Sequence, residues 1–294
     1  MNEIISGIAY SKPKVALLQE AGIGTAEIAA RTCYDSFDLS ENECVKDFNK
    51  DPHIGLISSV NSINHSELLD TLAWTHFHHS ILEHASLTYL IRGTSRGVLQ
   101  EIVRHRIASY SVRSTRYTMS SIINAFVASL ADPNIDAKEW FIDKLLTFDL
   151  FITSDIEYNK LEISSIFDKL NYQLDITSKI GPIAEPYEPY DFFKVAVAKS
   201  SLYLLNEYMT CDQMFEALEL GKKKRNVGDA FKHIVTDNWK VDMVATFNLR
   251  SLKNFFELRD SGAAWFQIRW LAQAMKEVTP SKYLDLIIKK DSKI

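Results

Sequence analysis

Residues 104–118 read Arg-His-Arg-Ile-Ala-Ser-Tyr-Ser-Val-Arg-Ser-Thr-Arg-Tyr-Thr, a row of groups suited to holding anions. A guanidinium, an imidazole and a second guanidinium come first, and a hydroxyl at Ser114 and a further guanidinium at Arg116 follow. Arginine offers a planar fork that matches a phosphate bidentately, and serine adds a hydroxyl donor. In an extended strand, residues two apart project to one side. With residues 114–118 extended, Ser114 and Arg116 would close on a single phosphate. Such a clamp behind an Arg-His-Arg corner suits a nucleotide held beside a second, larger anionic ligand. Between Arg92 and Arg116 stand six arginines and a single acid, Glu101, in a chain whose net charge is −5. Fixed cations in an acidic protein steer and pair anionic small molecules, and a solvated basic face is the plainer use of the same cluster.

Two other segments carry groups that could do chemistry. Asn248-Leu249-Arg250-Ser251-Leu252-Lys253-Asn254-Phe255 leads to Leu258-Arg259. On a helix Arg250, Asn254 and Glu257 share one face, while Asn248, Leu252, Phe255 and Arg259 lie nearer the other. Polar groups on both sides imply ligand or a second subunit on more than one face. His76, His78, His79 and His84 crowd around Glu83, where zinc or iron ligands could arise, but their spacing matches no ligand pattern on a helical face. We therefore expect no metal site.

The spacing Arg104-His105-Arg106, seven residues, Ser114 resembles the signature of the flavin-dependent thymidylate synthases, with Arg116 also in its family place. The segment His78-His79-Ser80-Ile81-Leu82-Glu83-His84 is similar to that family's His-x-(Thr/Ser)-x-x-Glu-His. The 248–255 segment, with Leu258-Arg259, resembles a third family pattern in the right order. The resemblance covers roughly residues 15–118 and 226–285.

It implies FAD bound by Ser80, Glu83, Arg104, His105, Arg106, Ile107, Asn248, Arg250 and Asn254. It implies dUMP surrounded by Glu101, Arg104, Ser114, Thr115, Arg116, Lys232 and Arg259, with Arg104, Ser114 and Arg259 as the catalytic set. Methylenetetrahydrofolate and NADPH follow as co-substrates, and a homotetramer with active sites at subunit interfaces as the assembly. Folate could stack through Tyr110, Tyr117 or another ring. The chain departs from the family at Glu101, where glutamine is usual, at Cys33 (serine), at Val112 (glutamate) and at Lys232 (arginine). Lys232 replaces the charge of an arginine but not its fork. The histidine usually found after Leu258-Arg259 is missing. None of Cys33, Cys44 and Cys211 sits near a base, which favours the flavin route over a cysteine nucleophile. Ser114 likewise lacks a paired base, so binding is its expected role.

The elements that must position these groups are readable in outline. Residues 86–92 are rich in β-formers and bounded by Gly93, which predicts a strand. Thr94 or Ser95 then caps a short helix whose Val98, Leu99, Ile102 and Val103 face inward. Residues 14–31 read as a helix with Val15, Leu18, Ile23 and Ile28 on its apolar side. The Gly22-x-Gly24 within it lacks both a clear preceding strand and the third glycine of a dinucleotide fingerprint. From about 119 to 225 the chain turns acidic and aromatic, with helices expected near 138–152, 155–175 and 192–220 and prolines at 182, 186 and 189. Residues 241–288 read as helical, with Leu252, Phe255, Phe256, Ile268, Leu271 and Met275 inward and Trp265 and Trp270 as core or subunit contacts.

The fold class expected is α+β, a small, mainly antiparallel sheet packed by long helices. We expect one catalytic domain, 1–294, with a largely helical insertion at about 119–225. Hydrophobic residues at 46% and charged residues at 24% are ordinary for a globular chain. Three scattered cysteines make no disulfide framework, no apolar run reaches the roughly 20 residues of a membrane span, and the first residues read as no targeting peptide. Cytoplasm is the expected compartment. Net acidity counts against nucleic acid as a partner, and Lys222-Lys223-Lys224-Arg225 reads as a solvated helix end.

Overall fold

Hydrophobic alternation and hydrophobic periodicity divide the chain between strands and helices in the computed structural model, which describes residues 2–47, 58–130, 134–180 and 232–289. The chain packs as two compact units, one of residues up to Ser11 with Arg113–Lys240, the other of Lys12–Val112 with Val241 onward. In the first, strands β1 (Asn2–Ile5) and β2 (Ile8–Ser11) form an antiparallel hairpin. Ser11 donates from both its amide and its hydroxyl to the carbonyl of Ile152, at 2.8 Å each.

The second unit carries a four-stranded sheet and most of the residues singled out above. Its strands are β3 (Lys14–Glu20), β4 (Ser86–Ser95), β5 (Ala108–Val112) and β6 (Lys240–Asn248), in the order β3-β4-β6-β5. Its helices are α1 (Ile23–Tyr34), α2 (Glu43–Lys46), α3 (Glu67–Trp74) and α4 (Arg96–Ile102). In the first unit α5 (Thr115–Ser129), α6 (Ala137–Leu146) and α7 (Ile156–Ile180) follow. Later in the second unit come α8 (Leu249–Arg259), α9 (Phe266–Val278) and α10 (Ser281–Ile287). The sheet alternates as a half-buried sheet must. Leu87, Tyr89 and Ile91 of β4 and Val241, Met243, Ala245 and Phe247 of β6 are buried in one core with Leu252, Phe255, Phe256, Ile268, Leu271 and Met275. The class is thus α+β, as expected, and the strand at 86–92 and the inward side of α8 and α9 stand where the sequence placed them.

Several expectations are corrected. Residues 14–20 are a strand, paired antiparallel with β4 from Lys14↔Arg92 to Glu20↔Leu87, and only Ile23–Tyr34 is helical. Residues 240–248 are likewise a strand, because a hydrophobic residue at every second position fits a sheet face and no helical stripe. Gly22 and Gly24 serve close packing. A Cβ on Gly24 would lie 2.4 Å from the Val60 carbonyl oxygen, and one on Gly22 would lie 2.8 Å from the Asn61 Cα. Of the helix residues expected inward, Val98 and Ile102 are buried, Leu99 is half-buried and Val103 is exposed. Trp270 belongs to the core side and Trp265 is exposed.

The first unit has its own core of Met119, Ile122, Phe126, Phe141, Leu145, Ile163, Ile166, Phe167 and Trp239. Asp136 caps α6 by accepting from the amides of Lys138 and Glu139 at 2.9 and 3.0 Å. The prolines at 182–189, the helix expected at 192–220, Cys211 and the basic run 222–225 lie outside the described residues. No described helix is long and apolar enough to cross a membrane.

Candidate active site

The Arg-His-Arg corner sits on the turn that leaves α4. Ser95 caps that helix by accepting from the Val98 amide at 3.1 Å, and its own hydroxyl donates to Gln267 Oε1 at 2.5 Å. The helix ends at Ile102, and Arg104 and Arg106 extend to the surface while His105 between them turns inward and is buried. Its ring packs edge-on against Phe255, with centroids 5.1 Å apart and planes at 78°. Tyr110 of β5 secures the turn from below, its hydroxyl lying 2.8 Å from the Ile102 carbonyl and 3.0 Å from that of His105. Burial pushes the Tyr110 hydroxyl well above its usual range, so it stays protonated and a donor. Tyr110→Phe is expected to cost about 1 kcal/mol of stability, read as a lower Tm. An unchanged Tm would show that those carbonyls are satisfied without it.

From the other side comes α8. Asn248 caps it by accepting from the Ser251 amide at 2.8 Å, so its carbonyl oxygen has a structural task. Arg250 pairs with Glu83 of the 3-10 turn His79–His84, joining two residues the sequence placed at one ligand. Ser80 is exposed on the same turn, which packs against α8. Glu257 pairs instead with Lys253. Arg104, His105, Arg106, Ile107, Arg250, Ser251, Asn254, Leu258 and Arg259 line one cavity of about 640 Å³, within the range of small-ligand pockets. Ile107 and Leu258 are exposed there, 66% and 54%, and give the cationic wall an apolar surface.

Arg259 is tied from three directions. Its Nε–H donates to His105 Nε2 at 3.1 Å, Nη1 to Glu101 Oε2 at 2.7 Å and Nη2 to the Glu101 carbonyl at 3.3 Å. The other Glu101 oxygen faces Arg104 Nη1 at 3.4 Å. Burial first, then the Arg259 cation, lowers the His105 pKa, against the opposing pull of Glu101. His105 is therefore neutral at pH 7, with its proton on Nδ1 and its Nε2 lone pair turned to Arg259.

Ser114, Thr115 and Arg116 are not in a strand. β5 ends at Val112, its last pair being with Met243, and α5 begins at Thr115. Ser114 and Arg116 therefore share no strand face. Met119, Ile122, Ile123 and Phe126 already carry the helical period there. Ser114 is half-buried just ahead of the helix and Thr115 is buried in its first turn. Lys232 is exposed on the 3-10 turn Lys232–Ile234, which packs against α5. The roles of Tyr110, Ser251 and Leu258 in the cavity and its support went unread, although Ser251 and Leu258 stand in the quoted motif.

The histidine cluster has other partners. His78 Nδ1 lies 2.9 Å from the Tyr34 hydroxyl and His79 Nε2 3.0 Å from the Ala73 carbonyl. Among the described residues no three of His, Cys, Asp or Glu are grouped to hold a metal ion. A second cavity, of about 560 Å³, lies beside α3 and α10, and two of its charged side chains are paired. Lys282 meets Glu20 at 3.1 Å and His65 meets Asp70 at 3.0 Å.

Residues 17–282 match the family described as thymidylate synthase complementing protein. Over 269 residues the chain is 28% identical to a flavin-dependent thymidylate synthase of Wolinella succinogenes, covering 92% of this chain and 94% of that protein. It is 26% identical over 262 residues to one of Helicobacter pylori, covering 88% and 89%. Among solved structures it resembles a Helicobacter pylori thymidylate synthase X crystallised with FAD and dUMP. That likeness has a TM-score of 0.53, 22% identity, and coverage of 94% of this chain and 97% of the other.

Proposed function

The chain belongs to the thymidylate synthase complementing protein family, and from that premise we propose that it is a flavin-dependent thymidylate synthase. It converts dUMP to dTMP, taking the carbon from methylenetetrahydrofolate and reducing equivalents from NADPH through bound FAD. One observation carries this reading. Two distant segments, Arg104–Ile107 and Arg250–Arg259, bring four guanidiniums, an amide and two exposed apolar side chains to one cavity.

The donor set fits FAD. Arg104, Arg106 and Arg250 match the charge of a pyrophosphate, Ile107 and Leu258 offer apolar surface to a ring system, and Asn254 and Ser251 supply hydrogen bonds. When bound, FAD supplies the hydride chemistry. Ser80, Glu83, His105 and Asn248 support it, with Glu83 holding Arg250 and Asn248 capping the helix. For dUMP, Ser114, Thr115 and Arg116 stand at the start of α5. A helix N-terminus favours phosphate, because its first amides lack intrahelical partners. Arg116 adds a fork and Lys232 a point charge. Arg104 and Arg259 steady charge that develops on the uracil oxygens as C5 becomes nucleophilic, each well-placed donor contributing about 3 kcal/mol.

The chain acts as one catalytic domain, 1–294, with an extension at about 119–225, in a cytoplasmic homotetramer with shared sites. Its partners are small molecules, with no nucleic acid or membrane among them. Product chromatography tests the reading, with dUMP, methylenetetrahydrofolate and NADPH supplied with and without FAD. FAD-dependent dTMP is the expected result. Folded, flavin-loaded protein that forms none would overturn the reaction, and folded protein that binds no flavin would overturn the cofactor as well.

A further inference from the structure

Arg259 has five N–H groups, and three of them are spent inside the protein, on His105 Nε2, Glu101 Oε2 and the Glu101 carbonyl. Among the described residues the remaining two, one on each terminal nitrogen, have no protein acceptor. Arg259 lines the cavity, so what it offers there is a two-pronged donor whose direction is set from behind. We propose that Glu101 and His105 are positioning residues for Arg259. A carboxylate at one end and an imidazole lone pair at the other hold the guanidinium plane against rotation, so that its free edge meets the substrate in a single orientation. The substrate's identity rests on the reading above, while the clamp itself rests on geometry alone.

The clamp has requirements that a mere packing contact lacks. His105 must be neutral, because a proton on Nε2 would remove the acceptor and set one cation against another. The charged and polar groups facing its ring and turn are Arg259 from α8, Glu101 from α4 and the Tyr110 hydroxyl from β5, with the apolar Phe255 ring set nearly perpendicular against it. Glu101 must supply an oxygen, which glutamine also has and alanine lacks. Its negative charge has a second effect, since it favours the imidazolium form of His105 and so opposes the neutral state the clamp needs.

FAD-loaded protein tests this in two ways. In steady-state kinetics with dUMP, Glu101→Ala is expected to lower kcat/KM by about 10²-fold, and Glu101→Gln to recover most of that loss. The acid limb of the Glu101→Gln profile should shift to lower pH, because the carboxylate that raises the His105 pKa is gone. A residue that only supports the fold would scale the profile without moving its limb. Independently of turnover, NMR of isotope-labelled arginine should find the Arg259 Nε–H protected from exchange with water, with protection lost in Glu101→Ala and His105→Ala. Wild-type activity in Glu101→Ala, a Glu101→Gln profile superimposable on wild type, or an unprotected Nε–H would each overturn the proposal. A protected Nε–H that both alanine variants release, in a protein that makes no dTMP, would uphold the clamp and reject the assigned reaction.

Discussion

Arg259→Ala is expected to lower kcat/KM for dUMP by about 10²- to 10³-fold, the range for losing one preorganised donor to developing charge, while FAD remains bound. The reason lies in how the side chain is held. Its side chain is only 19% exposed, against 70% for Arg104, so it is already largely desolvated and aimed before ligand arrives. Among the described residues, removing it leaves His105 Nε2 without a donor and the Glu101 side chain with only the 3.4 Å contact to Arg104. Arg259→Lys should recover little, because an ammonium cannot reach His105 and Glu101 together and still present a fork. Kinetics with flavin content read by absorbance decide this, and a lysine variant equal to wild type would remove the fork from the argument.

The same substitution carries a sign that can be checked without substrate. The folded-state pKa of His105 lies below its ordinary value near 6.5, so the unfolded chain takes up this proton more readily than the native one. The resulting stability is fully present above about pH 6.5 and is lost as pH falls towards the folded value. Burial is the larger cause of the lowering and Arg259 the second, so without Arg259 part of it disappears while the opposing pull of Glu101 remains. The Tm of Arg259→Ala should therefore fall less steeply than that of wild type as the solution is acidified below pH 6.5. Parallel slopes would mean that His105 is held neutral by burial alone.

How far such a site could be read beforehand depended on where each decision is made. A cap at Thr94 or Ser95, the second of which the helix uses, was legible, as were residues 86–92 as a strand, because a hydroxyl before a helix and a run of β-formers act locally. The apolar positions of α8 and α9 were legible because their repeat spans several turns. By contrast, β3 and β6 depend on partners far along the chain, Lys14 pairing with Arg92 and Ala108 with Phe247. A seven-residue segment such as β3 has too short a period to separate strand from helix by itself. Arg104, His105 and Arg106 form one polar run in the sequence, yet the middle side chain is buried against Phe255, an aromatic ring about 150 residues away. No local signal marks such a contact. Arg104, His105, Arg106, Ile107, Arg250, Asn254 and Arg259, which line one cavity, were legible as site residues because two motifs, 104–107 and 248–259, carry them. Ser251 and Leu258, which also line it, were not legible within the second motif, because a serine and a leucine on a helix have many structural uses.

That dependence on Phe255 makes it the position where core and site should fail together. The ring is fully buried, 5.1 Å from the His105 ring, 5.6 Å from that of Phe247 and 5.8 Å from that of Phe256. Emptying such a position costs about 3–5 kcal/mol in lost transfer energy and residual cavity. In a domain of this size that corresponds to a Tm lower by about 10 °C. Phe255→Ala is therefore expected to give both a large drop in Tm and weaker flavin retention, because His105 loses the surface that turns it towards Arg259. Phe255→Leu, which keeps most of the volume but no flat face, should restore much of the Tm and less of the flavin binding. Leu258, three residues on, is exposed and lines the cavity, so Leu258→Ala should leave Tm nearly unchanged and weaken flavin binding alone. Thermal denaturation paired with flavin titration separates these cases. If Phe255→Leu regained flavin binding in proportion to its stability, the His105 ring would be held by the turn and Tyr110, and Phe255 would be core alone.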